Sequence, residues 1–157
     1  MNIVSTQFNL NNKTLEIYLS GCYGDCYGCH NPELKDFDMG NYYQNELPDI
    51  IKKIKEFDSL IDNIWILGGE PLDNNILELL DLLNIIYKTN KIIWLWTRYE
   101  IEEIPEGIIE YCNYIKTGEY VPELSVDDNI QYGIKLSTSN QKIYKIELQG
   151  GMQCHNS

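Results

Sequence analysis

The segment Ile92-Ile93-Trp94-Leu95-Trp96 is apolar at every position, and no other feature constrains the fold as much. A strand with one wet face alternates polar and apolar residues. A strand apolar throughout is covered on both faces, as in parallel sheets sandwiched between other layers. Ile64-Trp65-Ile66-Leu67 repeats the pattern and is stopped by Gly68-Gly69. Between the two runs, Ile76, Leu79, Leu80, Leu83 and Tyr87 recur at helical spacing, which predicts a helix over 74–88 with those residues on its inner face.

The alternation extends in both directions. Leu15-Glu16-Ile17-Tyr18-Leu19 reads as a strand. Leu47, Ile50, Ile51, Ile54, Phe57 and Ile61 predict a helix over 47–61, with Pro48 suited to its first turn. A short helix is expected over 106–112, and short strands at Tyr114-Ile115-Lys116 and over 143–148. The expected architecture is α/β, a single domain with a mainly parallel sheet and helices. It spans 1–149, with 150–157 as a flexible tail. Loops leaving the C-terminal ends of parallel strands share one rim, so the loops at 21–31, 68–71 and 97–100 should converge.

Charge narrows the classes of partner. The formal net charge is −12, with no clustered basic stripe, so nucleic acid is not an expected partner. No apolar run approaches the ~20 residues of a membrane helix. Residues 1–8 carry neither a basic region nor a continuous apolar core, so no secretory signal is expected and the cytoplasm is the expected compartment.

Five cysteines are present, and three of them crowd into Cys22-Tyr23-Gly24-Asp25-Cys26-Tyr27-Gly28-Cys29. An odd, clustered set does not describe a secreted disulfide framework; it points to metal or redox chemistry. Three thiolates on one loop can hold three corners of a [4Fe–4S] cluster and leave the fourth iron open, whereas most electron-transfer clusters use four cysteines. Zinc is the alternative, with Cys22, Cys26, Cys29 and the adjacent His30 as the available ligands. Gly68-Gly69-Glu70-Pro71 is the second feature. Glycines without Cβ admit a ligand close to the backbone, and Glu70 offers a carboxylate to an amine. The same four residues also suit an ordinary strand-to-helix turn.

The C-x3-C-x2-C loop after one strand and Gly-Gly-Glu-Pro after the next resemble the radical S-adenosylmethionine superfamily. Within it the chain is most similar to the activating enzymes of anaerobic ribonucleotide reductase. That likeness rests on Gly21-Cys22, Cys26-Tyr27-Gly28-Cys29-His30-Asn31-Pro32-Glu33, Ile66-Leu67-Gly68-Gly69-Glu70-Pro71-Leu72, Ile93-Trp94-Leu95-Trp96-Thr97 and Ser139-Asn140-Gln141. Gly28 before the third cysteine suits these activases; Arg98 stands where Gly is expected, and Thr117 where an acidic residue is often seen.

The resemblance implies a partial (β/α) barrel of the radical S-adenosylmethionine type. It implies Cys22, Cys26 and Cys29 as ligands of a [4Fe–4S] cluster whose fourth iron is chelated by S-adenosylmethionine. It implies that Gly68, Gly69, Glu70 and Pro71 receive the cofactor's amino group, with Thr97, His30 and Asn140 as further contacts. The implied activity is reductive cleavage of S-adenosylmethionine, generating a glycyl radical on a large anaerobic ribonucleoside-triphosphate reductase. A flavodoxin- or ferredoxin-like donor supplies the electron. The alternatives are an activase of another glycyl-radical enzyme, a radical enzyme acting on a small molecule, and, more distantly, a non-catalytic zinc-binding module. Packing is the expected role of Trp65 and Trp94, and of Trp96; Cys112 is expected to face the interior.

Overall fold

One eight-stranded sheet organises the chain. The computed structural model describes residues 1–29, 31–147 and 151–154, the last stretch as backbone alone. In chain order the strands are β1 (Asn2–Asn9), β2 (Thr14–Leu19), β3 (Asn41–Tyr42), β4 (Asn63–Gly68) and β5 (Ile92–Trp96). They continue with β6 (Tyr114–Thr117), β7 (Ile130–Gln131), β8 (Ile134–Lys135), β9 (Lys142–Glu147) and β10 (Gly151–Cys154). The helices are α1 (Tyr43–Glu56), α2 (Ile76–Tyr87) and α3 (Glu106–Ile109).

The sheet order is β10-β9-β6-β5-β4-β2-β1-β3. At its centre β2, β4, β5 and β6 are parallel, so the expected parallel sheet is present there. The flanks are antiparallel: β1 and β3 beyond β2, and β9 and β10 beyond β6. β7 and β8 form a separate hairpin.

Two-sided cover explains the apolar runs. Successive strand residues point to opposite faces. Ile64, Ile66, Ile93 and Leu95 join Ile50 and Ile54 of α1, Leu79, Leu82, Leu83 and Ile86 of α2, and Ile108 of α3 in the main core. Trp65, Trp94, Leu67 and Trp96 face the other way, into a smaller cluster completed by Leu136, Ile143, Tyr132 and Ile134. The 118–141 segment therefore does for one face what the helices do for the other.

Several boundaries differ from expectation. α1 starts at Tyr43, before position 47, because the Tyr43 ring is buried, its hydroxyl donates to Asp81 (2.9 Å) and its N–H donates to the Met1 carbonyl. Pro48 therefore lies inside the helix, outside its first turn, and Phe57 and Ile61 fall beyond its end. The inner face of α2 is rotated from the expected stripe: Leu82 and Ile86 are fully buried, while Tyr87 is exposed and meets the Tyr111 ring edge-on. Contact with α3 as well as the sheet widens the buried side. The helix expected over 106–112 is one turn long. Cys112, just past it, is fully buried as expected, and its thiol donates to the Ile108 carbonyl.

β1 was not foreseen. Its polar content and a register shift between Ile3 and Ser5 break the alternation that marks a strand. Part of the segment expected as a tail, Gly151–Cys154, pairs antiparallel with β9. Among the described residues, no helix is long and apolar enough to cross a membrane.

Candidate functional site

The C-terminal ends of β2, β4, β5 and β6 open on one cleft of about 410 Å³, within the size range of small-molecule sites. Four loops form its walls, and the three expected to converge are among them.

The first carries the cysteines. Gly21 has φ +90, and a Cβ there would enter the Phe37 ring. That conformation turns the chain so that the Gly21 and Cys22 N–H groups donate to the carbonyls of Leu34 (2.7 Å) and Lys35 (3.3 Å). The loop is thus cinched at its base by the Pro32–Lys35 turn. A tighter turn, Cys29 N–H to Cys26 carbonyl (3.2 Å), brings the last two cysteines together. Cys22 and Cys26 are half-buried and Cys29 is exposed; all three are free thiols and line the cleft. Burial raises the Cys22 thiol pKa, and the Gly24 N–H aimed at its sulfur (3.2 Å) opposes that shift. Among the described residues, no three His, Cys, Asp or Glu side chains are grouped to hold a single metal ion. Three free thiols on one cleft do have the donor chemistry of a thiolate-held iron–sulfur cluster.

The second loop is Gly68 to Pro71. Both glycines line the cleft, yet their missing Cβ atoms are explained by the chain's own backbone. A Cβ on Gly68, whose φ is +128, would fall on the Leu19 carbonyl oxygen; one on Gly69 would lie 2.5 Å from the Gly21 oxygen. The close approach is between this turn and the base of the cysteine loop. It is fixed by hydrogen bonds from Gly69 N–H to the Leu19 carbonyl (2.9 Å) and from Glu70 N–H to the Gly21 carbonyl (2.7 Å).

Glu70 joins the second loop to the third. Its carboxylate is 2 % exposed and accepts from the Thr97 hydroxyl (2.7 Å), the Arg98 N–H (2.8 Å) and the Leu72 N–H (3.1 Å). Burial raises its pKa, while the three donors pull it back. Oε2 takes one of these bonds and retains acceptor capacity. Thr97 lines the cleft, with its hydroxyl also accepting the Tyr99 N–H (3.1 Å). Pro71 is buried at the start of a short 3-10 turn and does not border the cleft.

The fourth loop follows β6. Asn140 donates to the Glu119 carbonyl (2.9 Å), and its Oδ1 is buried without a partner among the described residues. It does not border the cleft, whereas Gln141 does. His30 lies outside the described residues.

Lys116 and Trp96 are among the cleft residues that the sequence reading did not place there. Lys116, 8 % exposed, donates to the Gly118 carbonyl (2.6 Å), and burial pushes its pKa down to about 8. Trp96 packs against Trp65 as expected, and it also lines the cleft, with its indole N–H buried without a partner among the described residues. Trp96 ends β5 and Lys116 is the last residue but one of β6, both on the face shared with Trp94 and Tyr114, and that alternation was the available signal.

A family model described as "4Fe-4S single cluster domain" matches residues 13–144. Curated relatives named "Anaerobic ribonucleoside-triphosphate reductase-activating protein" are similar over most of their length. The one from Vibrio cholerae serotype O1 is 27% identical over 140 residues, 84% of this chain and 87% of its own. The one from Escherichia coli K12 is 26% identical over 137 residues, 83% and 86% respectively. The one from Enterobacteria phage T4 is 27% identical over 113 residues, 69% and 71%. No solved structure matches the chain.

Proposed function

The chain belongs to the 4Fe-4S single cluster domain family, and from that premise we propose that it is the activating enzyme of an anaerobic ribonucleoside-triphosphate reductase. The observation that carries the reading is the convergence of Cys22, Cys26 and Cys29 with Gly68, Gly69 and Glu70 on one cleft at the ends of four parallel strands. The names of the relatives, which match over most of their length, support the same activity.

In this reading Cys22, Cys26 and Cys29 hold a [4Fe–4S] cluster, and S-adenosylmethionine occupies the cleft beside it. When bound, the cluster supplies the electron for reductive cleavage of S-adenosylmethionine. The residues of this chain hold and orient. The Gly68–Pro71 turn receives the amino group, and the remaining acceptor capacity of Glu70 Oε2 suits a charged N–H donor. Thr97 borders the cleft beside it and His30 is a further candidate contact, whereas Asn140 stands outside the cleft wall and holds the carbonyl of Glu119, which lines it. The sheet, with β3 and β10 as its two edges, is read as the partial barrel of the radical S-adenosylmethionine type. Its open side leaves room for a loop of the large reductase subunit, and a flavodoxin- or ferredoxin-like protein supplies the electron.

The test is anaerobic incubation of reconstituted protein with the large reductase subunit, reductant and S-adenosylmethionine, followed by electron paramagnetic resonance. An organic-radical signal on the reductase, absent when Cys26→Ala replaces the native chain, is expected. Cleavage of S-adenosylmethionine with no radical on the reductase would overturn the partner assignment.

A further inference from the structure

Arg98 reaches beneath the cysteine loop. Its Cδ and Nε lie 3.0 Å from the point where a Cβ on Gly24 would sit, and the Cys22 sulfur lies 3.2 Å from that same point. The guanidinium is therefore a close neighbour of the first cysteine. Its Nη2 donates to both carboxylate oxygens of Asp73 (3.2 and 3.3 Å) and to the Tyr99 hydroxyl (2.9 Å). Asp73 is a hub: its side chain is 2 % exposed, and it also accepts from the Tyr23 N–H (2.7 Å) and the Tyr99 hydroxyl (2.5 Å). Cation and anion together tie the cysteine loop to the ends of β4 and β5. One donor is left over: Arg98 Nε is buried without an acceptor among the described residues. An orphaned guanidinium N–H is costly, and the Cys22 sulfur, which accepts hydrogen bonds well once it is a thiolate, lies nearby next to Gly24.

We propose that Arg98 is a positioning residue that fixes the cysteine loop and, by its charge and Nε–H, raises the reduction potential of the cluster, with Asp73 as the opposing charge. This rests on the reading of Cys22, Cys26 and Cys29 as ligands. Cluster potentials are set by net charge and by hydrogen bonds to the sulfurs. A nearby cation favours the more negative, reduced state; a nearby anion disfavours it.

The test is a redox titration of reconstituted protein, followed by electron paramagnetic resonance, for wild type, Arg98→Gln, Asp73→Asn and the double variant. Iron and acid-labile sulfide are measured first in each. With full loading, Arg98→Gln should lower the reduced-to-oxidised ratio at a fixed potential on the order of tenfold, about 59 mV for one electron. Asp73→Asn should shift the ratio the opposite way, and the double variant should return toward wild type. Shifts of the same sign, as loosening of a purely structural clamp would give, or no shift, overturn the proposal. If Arg98→Gln fails to load, Asp73→Asn decides it alone by the sign of its shift. No cluster in the wild type would instead sink the ligand assignment, and the present inference with it.

Discussion

Removing the Glu70 carboxylate should loosen the Gly68–Pro71 turn from the Thr97–Arg98 loop, with the bonds from Arg98 and Tyr99 to Asp73 still in place. Glu70→Ala leaves the Thr97 hydroxyl and the N–H groups of Arg98 and Leu72 without their acceptor. A buried donor left unsatisfied costs about 1–3 kcal/mol. The Thr97 hydroxyl can rotate and the partly buried N–H groups can reach water, so the expected loss is about 3–5 kcal/mol, a large share of the roughly 5–15 kcal/mol that holds a domain together. Glu70→Gln keeps one acceptor oxygen but turns an NH2 toward a donor, and should lose less, about 1–2 kcal/mol. The assay is urea unfolding of the cluster-free protein under reductant. Burial holds the Glu70 carboxyl above its usual pKa of 4.5, so the folded state binds its proton more readily than the unfolded chain. That contribution to stability is complete below 4.5 and is lost as pH rises through the folded value. The advantage of wild type over Glu70→Gln should therefore narrow with rising pH. A loss under about 1 kcal/mol for Glu70→Ala, or a Gln variant weaker than the Ala one, would refute the reasoning.

Other substitutions separate strain from packing and burial. Gly68→Ala forces a Cβ onto the Leu19 carbonyl at φ +128 and should prevent folding or cost more than about 3 kcal/mol, whereas Gly28→Ala, at φ +70 with open space around it, should cost about 1 kcal/mol; thermal unfolding distinguishes them. Lys116 has a folded pKa of about 8 against 10.5 unfolded, so the folded state binds fewer protons between those values and carries the full penalty below 8. Lys116→Met should be more stable at pH 7 by about 1–3 kcal/mol, with the gap closing between pH 8 and 10.5 in a series of unfolding curves. Cys112→Ala should cost about 1 kcal/mol of core packing and leave iron content unchanged.

Much of the fold was legible because the physics acting on it is local. The runs at Ile64–Leu67 and Ile92–Trp96 announce two-sided cover whatever supplies it, and Gly68-Gly69 mark a strand end. β1 was hidden because its bulge disrupts the period of two, and the start of α1 depends on Tyr43 reaching Asp81, a contact between distant residues. In the site, the cysteine spacing exposed the loop, and the two glycines were legible as a turn, but their packing against the Leu19 and Gly21 carbonyls depends on chain segments distant in sequence. The partners of Glu70 and Asp73 come from loops that only the parallel sheet brings together, so no local pattern could reveal them.

The most direct test of the central claim is anaerobic reconstitution with iron and sulfide, then reduction with dithionite in the presence of S-adenosylmethionine, with assay of 5′-deoxyadenosine. The account predicts a loaded cluster and accumulating 5′-deoxyadenosine in the wild type, both lost in Cys22→Ala. Protein that binds no iron–sulfur cluster, or a loaded cluster that leaves S-adenosylmethionine intact, would contradict it.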